Sequence, residues 1–288
     1  MTLPLAVWRS VLFVPAQVQR FIDAAPRSGA DAIQLDLEDS VPTGQKAVAR
    51  TGLPAAVEAL TMAGAEVLVR INRDLRNAVA DLEAAAIPGV RAISVPKVSG
   101  PEHLQLVDEL LSELEAERSL PRGSIGLIAM IESLSGLACA PALALACPRV
   151  IGLTIGSEDF SADAGMEPTR ANLFHPCQQI LFAARAAGVQ AYGFPGSIAG
   201  YGDLALYGEQ VTQGRSMGFD GAFCIHPSQV AVLNEMFTPS PDALAEARDI
   251  VAAYESALAG GRAAAAFDGR MIDLPVVARA RALIARAR

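Results

Sequence analysis

Residues 29–63 read GADAIQLDLEDSVPTGQKAVARTGLPAAVEALTMA, and this stretch contains a strand-and-helix pattern that recurs along most of the chain. The apolar run Ala32–Leu37 carries few charges, which predicts a strand buried on both faces. The segment Gln45–Ala63 has apolar residues at helical spacing, which predicts a helix. A buried strand followed by a helix is the βα unit of a parallel sheet.

The same unit recurs along the chain. Strands are predicted at Ser10–Val14, Ala32–Leu37, Glu66–Ile71, Ala92–Val95, Ile125–Ile131, Val150–Ile155, Val189–Tyr192 and Gly221–Ile225. Helices are predicted at Gln17–Pro26, Gln45–Ala63, Leu75–Ala85, Pro101–Glu117, Leu134–Ala146, Pro176–Gly188 and Leu204–Met217. Eight such units in roughly 250 residues predict an α/β fold, the TIM (β/α)8 barrel. An open, doubly wound sheet is the alternative.

One more helix precedes the end of the chain. Ser240, Pro241 and Gly260 are typical of its N-cap, its first residue and the position just past its end, and only residues 259–288 lie beyond the eight units. After the glycine pair at 260–261, Phe267–Arg288 is predicted as one amphipathic helix, because its apolar and basic residues fall on opposite faces. We therefore expect a barrel domain at residues 1–258 and a C-terminal segment at residues 259–288.

Composition narrows the class of protein. The 288 residues are 52% hydrophobic and 19% charged, which is a globular composition. The longest apolar run, Leu137–Cys147, is broken by Pro141 and is too short to span a bilayer, and the start of the chain does not have the pattern of a secretory signal. A net charge of −8 without a basic stripe argues against nucleic acid as a partner. The four cysteines show no C-x-x-C spacing, so we expect reduced cysteines and a cytoplasmic protein.

Polar residues follow most of the predicted strands, and in a TIM barrel the C-terminal strand ends carry the active site. At or just after the strand ends, they are Asp36, Glu38 and Asp39 for strand two, Arg70 and Asn72 for strand three, Lys97 for strand four, Glu132 for strand five, Glu158 and Asp159 for strand six, and His226 for strand eight. Each residue alone also has a structural explanation, such as a helix cap, an ion pair or an exposed loop.

Together, these carboxylates predict a metal site. Several acidic groups at one rim repel one another, and a divalent cation with oxygen ligands relieves that repulsion. Glu132 and Asp159 follow adjacent strands and can reach one ion, which we expect to be Mg²⁺, with Mn²⁺ as the alternative. Such an ion would chelate a 2-oxo acid, and Arg70 would stabilise a neighbouring carboxylate or enolate oxygen. This is the chemistry of a carbon–carbon lyase or aldolase.

Eight motifs carry a family resemblance. In order, they are RSVLFVPA, GADAIQLDLEDSV, LVRIN, VPKV, IES, GSEDFSAD, MGFDGAFCIHPSQV and DGRMIDLP. The chain resembles the HpcH/HpaI aldolase and citrate lyase β-subunit-like family, in particular its malyl-CoA and citramalyl-CoA lyase-like members. The resemblance implies a TIM barrel, Mg²⁺ and reversible cleavage of a 3-hydroxyacyl-CoA into acetyl-CoA and a 2-oxo acid through a thioester enolate. It also implies a homo-oligomer, a trimer or a hexamer.

The resemblance also implies roles for individual residues. Glu132 and Asp159 match the metal ligands, and Glu132 also lies on the substrate side. Arg70 matches the arginine that contacts substrate and stabilises the enolate. Glu38 and Asp39 match acidic residues near the metal and its waters.

Two further matches lie near the chain ends, and three positions depart from the pattern: Gly193, Ala222, where lysine is frequent, and Ala16, where glycine is frequent. Arg9 matches a residue that lines the CoA side of the site. Asp273 matches the general acid/base on a C-terminal helical lid that closes over the neighbouring subunit's site. Family members usually read A-x-D-G after strand seven, whereas residues 191–197 here read AYGFPGS, so that Gly193 stands where aspartate is common.

Three other functions stay open at this point. A CoA-independent class II aldolase would act on a free 2-oxo-hydroxy acid, but that branch generally carries a histidine after strand two, where this chain has Asp36–Asp39. A citrate lyase β subunit would act on an acyl-carrier-protein thioester, whereas the lid segment at Asp273 favours a self-contained enzyme. A barrel that only binds ligands would not need Glu132, Asp159 and Arg70 together.

Overall fold

Eight parallel strands form the central sheet of the protein, whose computed structural model describes residues 7–285. The strands are β1 (Ser10–Pro15), β2 (Ala32–Asp36), β3 (Glu66–Arg70), β4 (Val90–Val95), β5 (Gly126–Ile131), β6 (Val150–Ile155), β7 (Gln190–Tyr192) and β8 (Ala222–Cys224). Strands β1 to β7 pair in chain order, and β8 pairs with β1. All eight predicted strands are confirmed, each within two residues of its predicted ends.

The sheet closes between β7 and β8. Tyr192 and Gly221 form a parallel bridge, and the Gly193 amide donates to the Gly221 carbonyl at 2.9 Å. Apolar side chains from seven of the strands fill the interior: Val11, Ala32, Leu68, Ala92, Ile128, Tyr192 and Phe223. The eighth strand, β6, contributes Gly152, where an added Cβ would lie 3.0 Å from the Tyr192 ring. The predicted TIM barrel is confirmed, and the open sheet is excluded.

Helices connect consecutive strands of the barrel, and one more helix follows β8. They are α1 (Gln19–Ala24), α2 (Lys46–Met62), α3 (Leu75–Ala85), α4 (Pro101–Glu117), α5 (Leu134–Ala138), α6 (Ala140–Ala144), α7 (Ser157–Asp163), α8 (Arg170–Ala187), α9 (Leu204–Met217) and α10 (Pro227–Phe237). The predicted start of α8 at Pro176 was wrong, because Thr169 caps the helix and Pro176 lies inside it. The helix predicted at Leu134–Ala146 is two short helices, with Pro141 at the start of the second. Helices α7 and α10 were not predicted.

At the amino end of β6, a buried ion-pair network holds the barrel together. Arg149 directly precedes the strand and donates to both carboxylate oxygens of Glu115, at 2.7 Å and 2.6 Å, and also to Asp108. Glu115 is 1% exposed and also accepts the Gly123 amide at 2.7 Å. A buried pair with its remaining acceptors satisfied is a structural element. It lies at the strand ends opposite those that carry the predicted site.

Residues 236–288 form a separate packing unit from residues 1–235. Within it, α11 (Pro241–Ala259) begins after the N-cap Ser240, as predicted. The segment predicted as one helix from Phe267 instead begins with a hairpin, β9 (Ala265–Phe267) and β10 (Arg270–Ile272), followed by α12 (Leu274–Ala285). Tyr254, Ile272 and Val277 form the core of this unit. The sequence places the domain boundary at residue 258, whereas packing groups α11 with the later unit.

No helix within residues 7–285 has both the length and the apolar character needed to cross a bilayer.

Candidate functional site

A cavity of about 440 Å³ lies at the C-terminal ends of the barrel strands. Five carboxylates line it: Asp36, Asp39, Glu132, Glu158 and Asp159. Arg70 is the one basic side chain among the lining residues that the structure describes, and Phe13, Met130 and Phe194 contribute apolar surface. The convergence arises because parallel strands point their carboxyl ends to the same rim.

The guanidinium of Arg70 is fixed by a carboxylate on the neighbouring strand. Arg70 ends β3 and Asp36 ends β2, and the two residues are paired in the sheet. Arg70 Nε donates to Asp36 Oδ1 at 2.7 Å and Nη2 donates to Oδ2 at 2.8 Å. Burial alone would raise the pKa of Asp36, but the two hydrogen bonds and the charge of Arg70 outweigh it and hold that pKa below its usual value. The ring of Phe13 lies 4.7 Å from the guanidinium carbon and supports its orientation.

Glu38 and Asp39 follow β2 in the loop above Arg70. Glu38 is 5% exposed, and its Oε2 lies 2.8 Å from Arg70 Nη1 without the orientation of a hydrogen bond. Its Oε1 accepts from Lys97 Nζ at 2.7 Å. Burial raises the pKa of the Glu38 carboxyl despite these cations. Asp39 is more exposed and lies 3.7 Å from Arg70 Nη1.

Glu132 follows β5 and is 4% exposed. Its Oε2 accepts the main-chain amide of Lys97 at 2.7 Å. Burial, together with the charge of Glu38, raises the pKa of Glu132 to about 8. Gly156, at the start of α7, leaves the room that this side chain occupies: an added Cβ would lie 2.4 Å from Glu132 Cγ and 2.5 Å from Oε1.

Asp159 and Glu158 lie in the first turn of α7, directly after β6. Because β6 pairs with β5, Asp159 and Glu132 approach the cavity from adjacent strands. The side chain of Asp159 is 42% exposed and lies 3.8 Å from Lys97 Nζ. Glu158 accepts from Ser197 Oγ at 2.5 Å, which joins α7 to the loop after β7.

The donor set fits a divalent cation. No three His, Cys, Asp or Glu side chains within residues 7–285 are arranged to hold a metal by themselves. Mg²⁺ needs no such cage, since it is commonly held by one or two carboxylates plus waters and substrate oxygens. The raised pKa of Glu132 and the excess of carboxylates over cations are the signs of a missing positive charge. Glu132 and Asp159 would hold the ion.

Three of the predicted site residues, Arg9, Glu38 and Asp273, are not among the residues lining the cavity, although Glu38 contacts Arg70 and Lys97 at its rim. Arg9 precedes β1, so it lies at the amino end of the barrel, where its Nη2 is 2.6 Å from Asp31 Oδ1. The amino end of the barrel does not suit the contact with CoA that was predicted for Arg9. The sequence motif alone does not show whether a residue lies before or after its strand. Asp273 lies in the unit of residues 236–288, where its Oδ1 accepts the Val276 amide at 3.4 Å at the start of α12.

Sequence reasoning gave too little weight to Lys97, Gly156 and helix α7. Lys97 was considered only as a rim residue, yet it contacts Glu38 with its side chain and Glu132 with its main chain. The glycine directly after β6 is the signal that could have indicated a close approach to the strand end. His226 lies outside the cavity lining, and the Ser228 amide donates to its Nδ1 at 3.2 Å, which is a capping contact at the start of α10.

Comparisons with known proteins extend over nearly the whole chain. The profile of the HpcH/HpaI aldolase/citrate lyase family matches residues 9–227. The citrate lyase subunit beta of Escherichia coli (strain K12) is 33% identical over 282 residues, covering 97% of this chain and 93% of the relative. The L-malyl-CoA/beta-methylmalyl-CoA lyase of Cereibacter sphaeroides (strain ATCC 17025 / ATH 2.4.3) is 31% identical over 306 residues, covering 97% and 94%.

A solved structure gives the same extent of similarity. It is protein CitE from Mycobacterium tuberculosis in complex with magnesium, acetoacetate and coenzyme A, with a TM-score of 0.76, 32% identity and coverage of 99% of each chain. The likeness therefore includes the strands that carry the cavity carboxylates and the segment that follows residue 227.

Proposed function

We propose that this chain, which belongs to the HpcH/HpaI aldolase/citrate lyase family, is a Mg²⁺-dependent lyase that cleaves, or in reverse forms, a 3-hydroxyacyl-CoA such as malyl-CoA or citramalyl-CoA. The products are acetyl-CoA and a 2-oxo acid. As a member of this family the chain is a carbon–carbon lyase. The observation that carries the finer proposal is the convergence of Glu132, Asp159 and Arg70 on one cavity.

The metal would be held by Glu132 and Asp159. Solved structures that are similar to this chain contain magnesium. When bound, a divalent cation supplies Lewis-acid polarisation of the oxo group of the 2-oxo acid. Glu132 is oriented for this role by the Lys97 amide and by the space above Gly156. Glu38 and Asp39 lie beside Arg70 and are placed to hold waters or substrate oxygens near the ion.

The cleavage itself leaves negative charge on the acyl fragment. The C2–C3 bond breaks as the 3-hydroxyl gives its proton to a carboxylate of the cavity or to water and becomes the oxo group. The electron pair of the broken bond remains on the thioester as an enolate. Arg70 stabilises this charge, because the bidentate contact with Asp36 fixes its guanidinium in place before the reaction. The enolate then takes a proton at its α-carbon, a role that the family resemblance assigns to Asp273.

A citrate lyase β subunit is the second candidate function. The relatives that bear this name are as similar to the chain as the malyl-CoA lyases, with 33% identity for the Escherichia coli protein. With this function, the same carboxylates and arginine would act on a thioester of an acyl-carrier protein rather than of CoA. The two functions differ in the carrier and not in the metal site.

Proton exchange on acetyl-CoA tests the proposal. Acetyl-CoA is incubated with the protein in D₂O and followed by NMR, with and without Mg²⁺ and with pyruvate or glyoxylate as partner acids. Metal-dependent deuterium incorporation or condensation supports enolate chemistry on a CoA thioester. If the metal binds but neither occurs, acyl-carrier-protein thioesters and free 2-oxo-hydroxy acids are tested next, and activity on either one would replace the CoA function.

A further inference from the structure

The chain contains only two lysines among its 23 basic residues, and both lie beside the loop that follows β2. Lys46 Nζ donates to the carbonyls of Leu37 and Glu38, at 3.0 Å and 2.9 Å, and so supports the backbone of the loop. Lys97 Nζ instead faces carboxylates. The two lysines therefore have different roles, and only Lys97 acts on the charge of the cavity rim.

The backbone of Lys97 is held in an unusual conformation. Its φ is +50°, a region that side-chain-bearing residues rarely adopt. Its amide donates to Glu132 Oε2 at 2.7 Å, and its carbonyl accepts from Arg73 Nε at 3.1 Å. Strained backbone of this kind persists where the surroundings hold it, and here the conformation aims the amide at Glu132. The main chain of Lys97 thus orients one of the two proposed metal ligands.

The ammonium group of Lys97 contacts the other side of the same site. Its Nζ lies 2.7 Å from Glu38 Oε1, 3.5 Å from Asp39 Oδ2 and 3.8 Å from Asp159 Oδ1. Asp159 is the second proposed metal ligand. A divalent ion on Asp159 and an ammonium within 4 Å of the same carboxylate repel each other, because both are positive. The two cations compete for one group of carboxylates.

We propose that Lys97 is a positioning residue that sets the metal affinity of this site, an inference that rests on the proposed function. Its amide fixes Glu132, while its ammonium balances the carboxylates before the ion binds and withdraws from Asp159 when the ion arrives. The ammonium therefore lowers the affinity for the divalent ion, and the amide favours it. The side chain and the main chain can be separated, because substitution of the side chain leaves the amide in place.

Two variants separate these effects. Lys97→Met removes the charge and keeps both the length and the amide, and Lys97→Arg keeps the charge. The dissociation constant for Mn²⁺ is measured by electron paramagnetic resonance on the full chain without substrate, with Mg²⁺ as competitor. For a partly exposed ammonium about 4 Å from a ligand, we expect roughly tenfold tighter binding in Lys97→Met and a change of less than about threefold in Lys97→Arg. The difference shrinks at high salt.

The outcomes are distinct. Wild-type protein that binds neither Mn²⁺ nor Mg²⁺ contradicts the proposed function itself. Wild-type protein that binds the ion, with a folded Lys97→Met variant that binds it equally well or more weakly, shows that Lys97 only forms a rim ion pair and overturns the inference. If Lys97 were purely structural, the Lys97→Met variant would have a lower melting temperature and would not bind the metal ion more tightly.

A second measurement does not depend on the variants folding. Wild-type protein is treated with acetic anhydride, with and without Mn²⁺, and the two lysines are quantified by peptide mass spectrometry. Displacement of the ammonium from Asp159 raises the acetylation of Lys97 when the ion is present, whereas Lys46 serves as the internal control. Equal responses of the two lysines would overturn the inference.

Discussion

Replacing Gly156 by alanine is expected to disable the metal site through a single methyl group. The added Cβ would lie 2.4 Å from Glu132 Cγ, 2.5 Å from Oε1 and 2.9 Å from Cδ. Glu132 cannot simply move away, because it is 4% exposed and its Oε2 is held by the Lys97 amide. Overpacking costs about 1–3 kcal/mol, and a hydrogen bond lost by a buried group costs about 1–3 kcal/mol. Gly156 has a φ of −93°, so backbone strain contributes nothing.

A second glycine-to-alanine variant provides the control. Gly52 lies inside α2, and an added Cβ there meets nothing within 4 Å, so Gly52→Ala should stabilise the fold by about 0.5–1 kcal/mol. For Gly156→Ala we expect roughly 10- to 100-fold weaker Mn²⁺ binding, the usual effect of disturbing a ligand's surroundings. Calorimetric titration and thermal unfolding of both variants measure this. A Gly156→Ala variant with wild-type metal affinity would refute the argument that this glycine makes room for Glu132.

We make three further predictions, the first from the family resemblance and the other two from the charges and contacts of Glu132 and Arg149. Asp273→Asn should lower turnover by roughly 10²–10⁴-fold with unchanged Mn²⁺ affinity, and comparable turnover would reject Asp273 as the acid/base. Because the pKa of Glu132 is raised to about 8, the ion must displace a proton below that pH; metal affinity should fall roughly tenfold per pH unit as the pH drops below 8. Titration of Glu132→Gln should show weaker binding without that slope. Arg149→Met should destabilise the fold by about 3–5 kcal/mol in urea unfolding, because Glu115 is left buried and unpaired. The exposed-pair variant Arg91→Met should cost less than about 1 kcal/mol, and equal losses would contradict the burial argument.

The strands were predictable because each is an apolar run buried on both faces, and the chain repeats that pattern eight times. The helices were less predictable than the strands. Pro176 is typical of a first helical residue, but Thr169 caps α8 further upstream and tertiary packing retains the proline inside the helix. In the C-terminal unit, Asp268 and Gly269 both have positive φ and form the turn of the hairpin. Asp-Gly between apolar residues is a strong hairpin signal, and the amphipathic pattern after it obscured this.

The cavity residues were predictable from topology alone. Asp36 and Arg70 end strands and Glu132 and Asp159 follow strands, and a parallel barrel brings such positions to one rim. The role of Lys97 was not predictable, since it depends on a φ of +50° and on which carboxylates its side chain reaches through space. The sequence shows where Lys97 stands in the chain, but it does not show the direction in which its main-chain amide points.

The part of the cavity formed after β7 is built differently from the part that holds the carboxylates. Gly193 has a φ of +142°, and an added Cβ would lie 2.9 Å from Ile155 Cγ2, so aspartate, common at this position in the family, would not fit this backbone. The loop that follows is anchored instead by Ser197 on Glu158 and by Gln229, whose side-chain amide donates to the Ile198 carbonyl at 2.8 Å. The sequence resemblance extends over the motifs that carry Glu132 and Asp159, whereas the loop after β7 departs from it. We therefore expect the choice of substrate to depend on this loop and the chemistry to depend on the opposite rim.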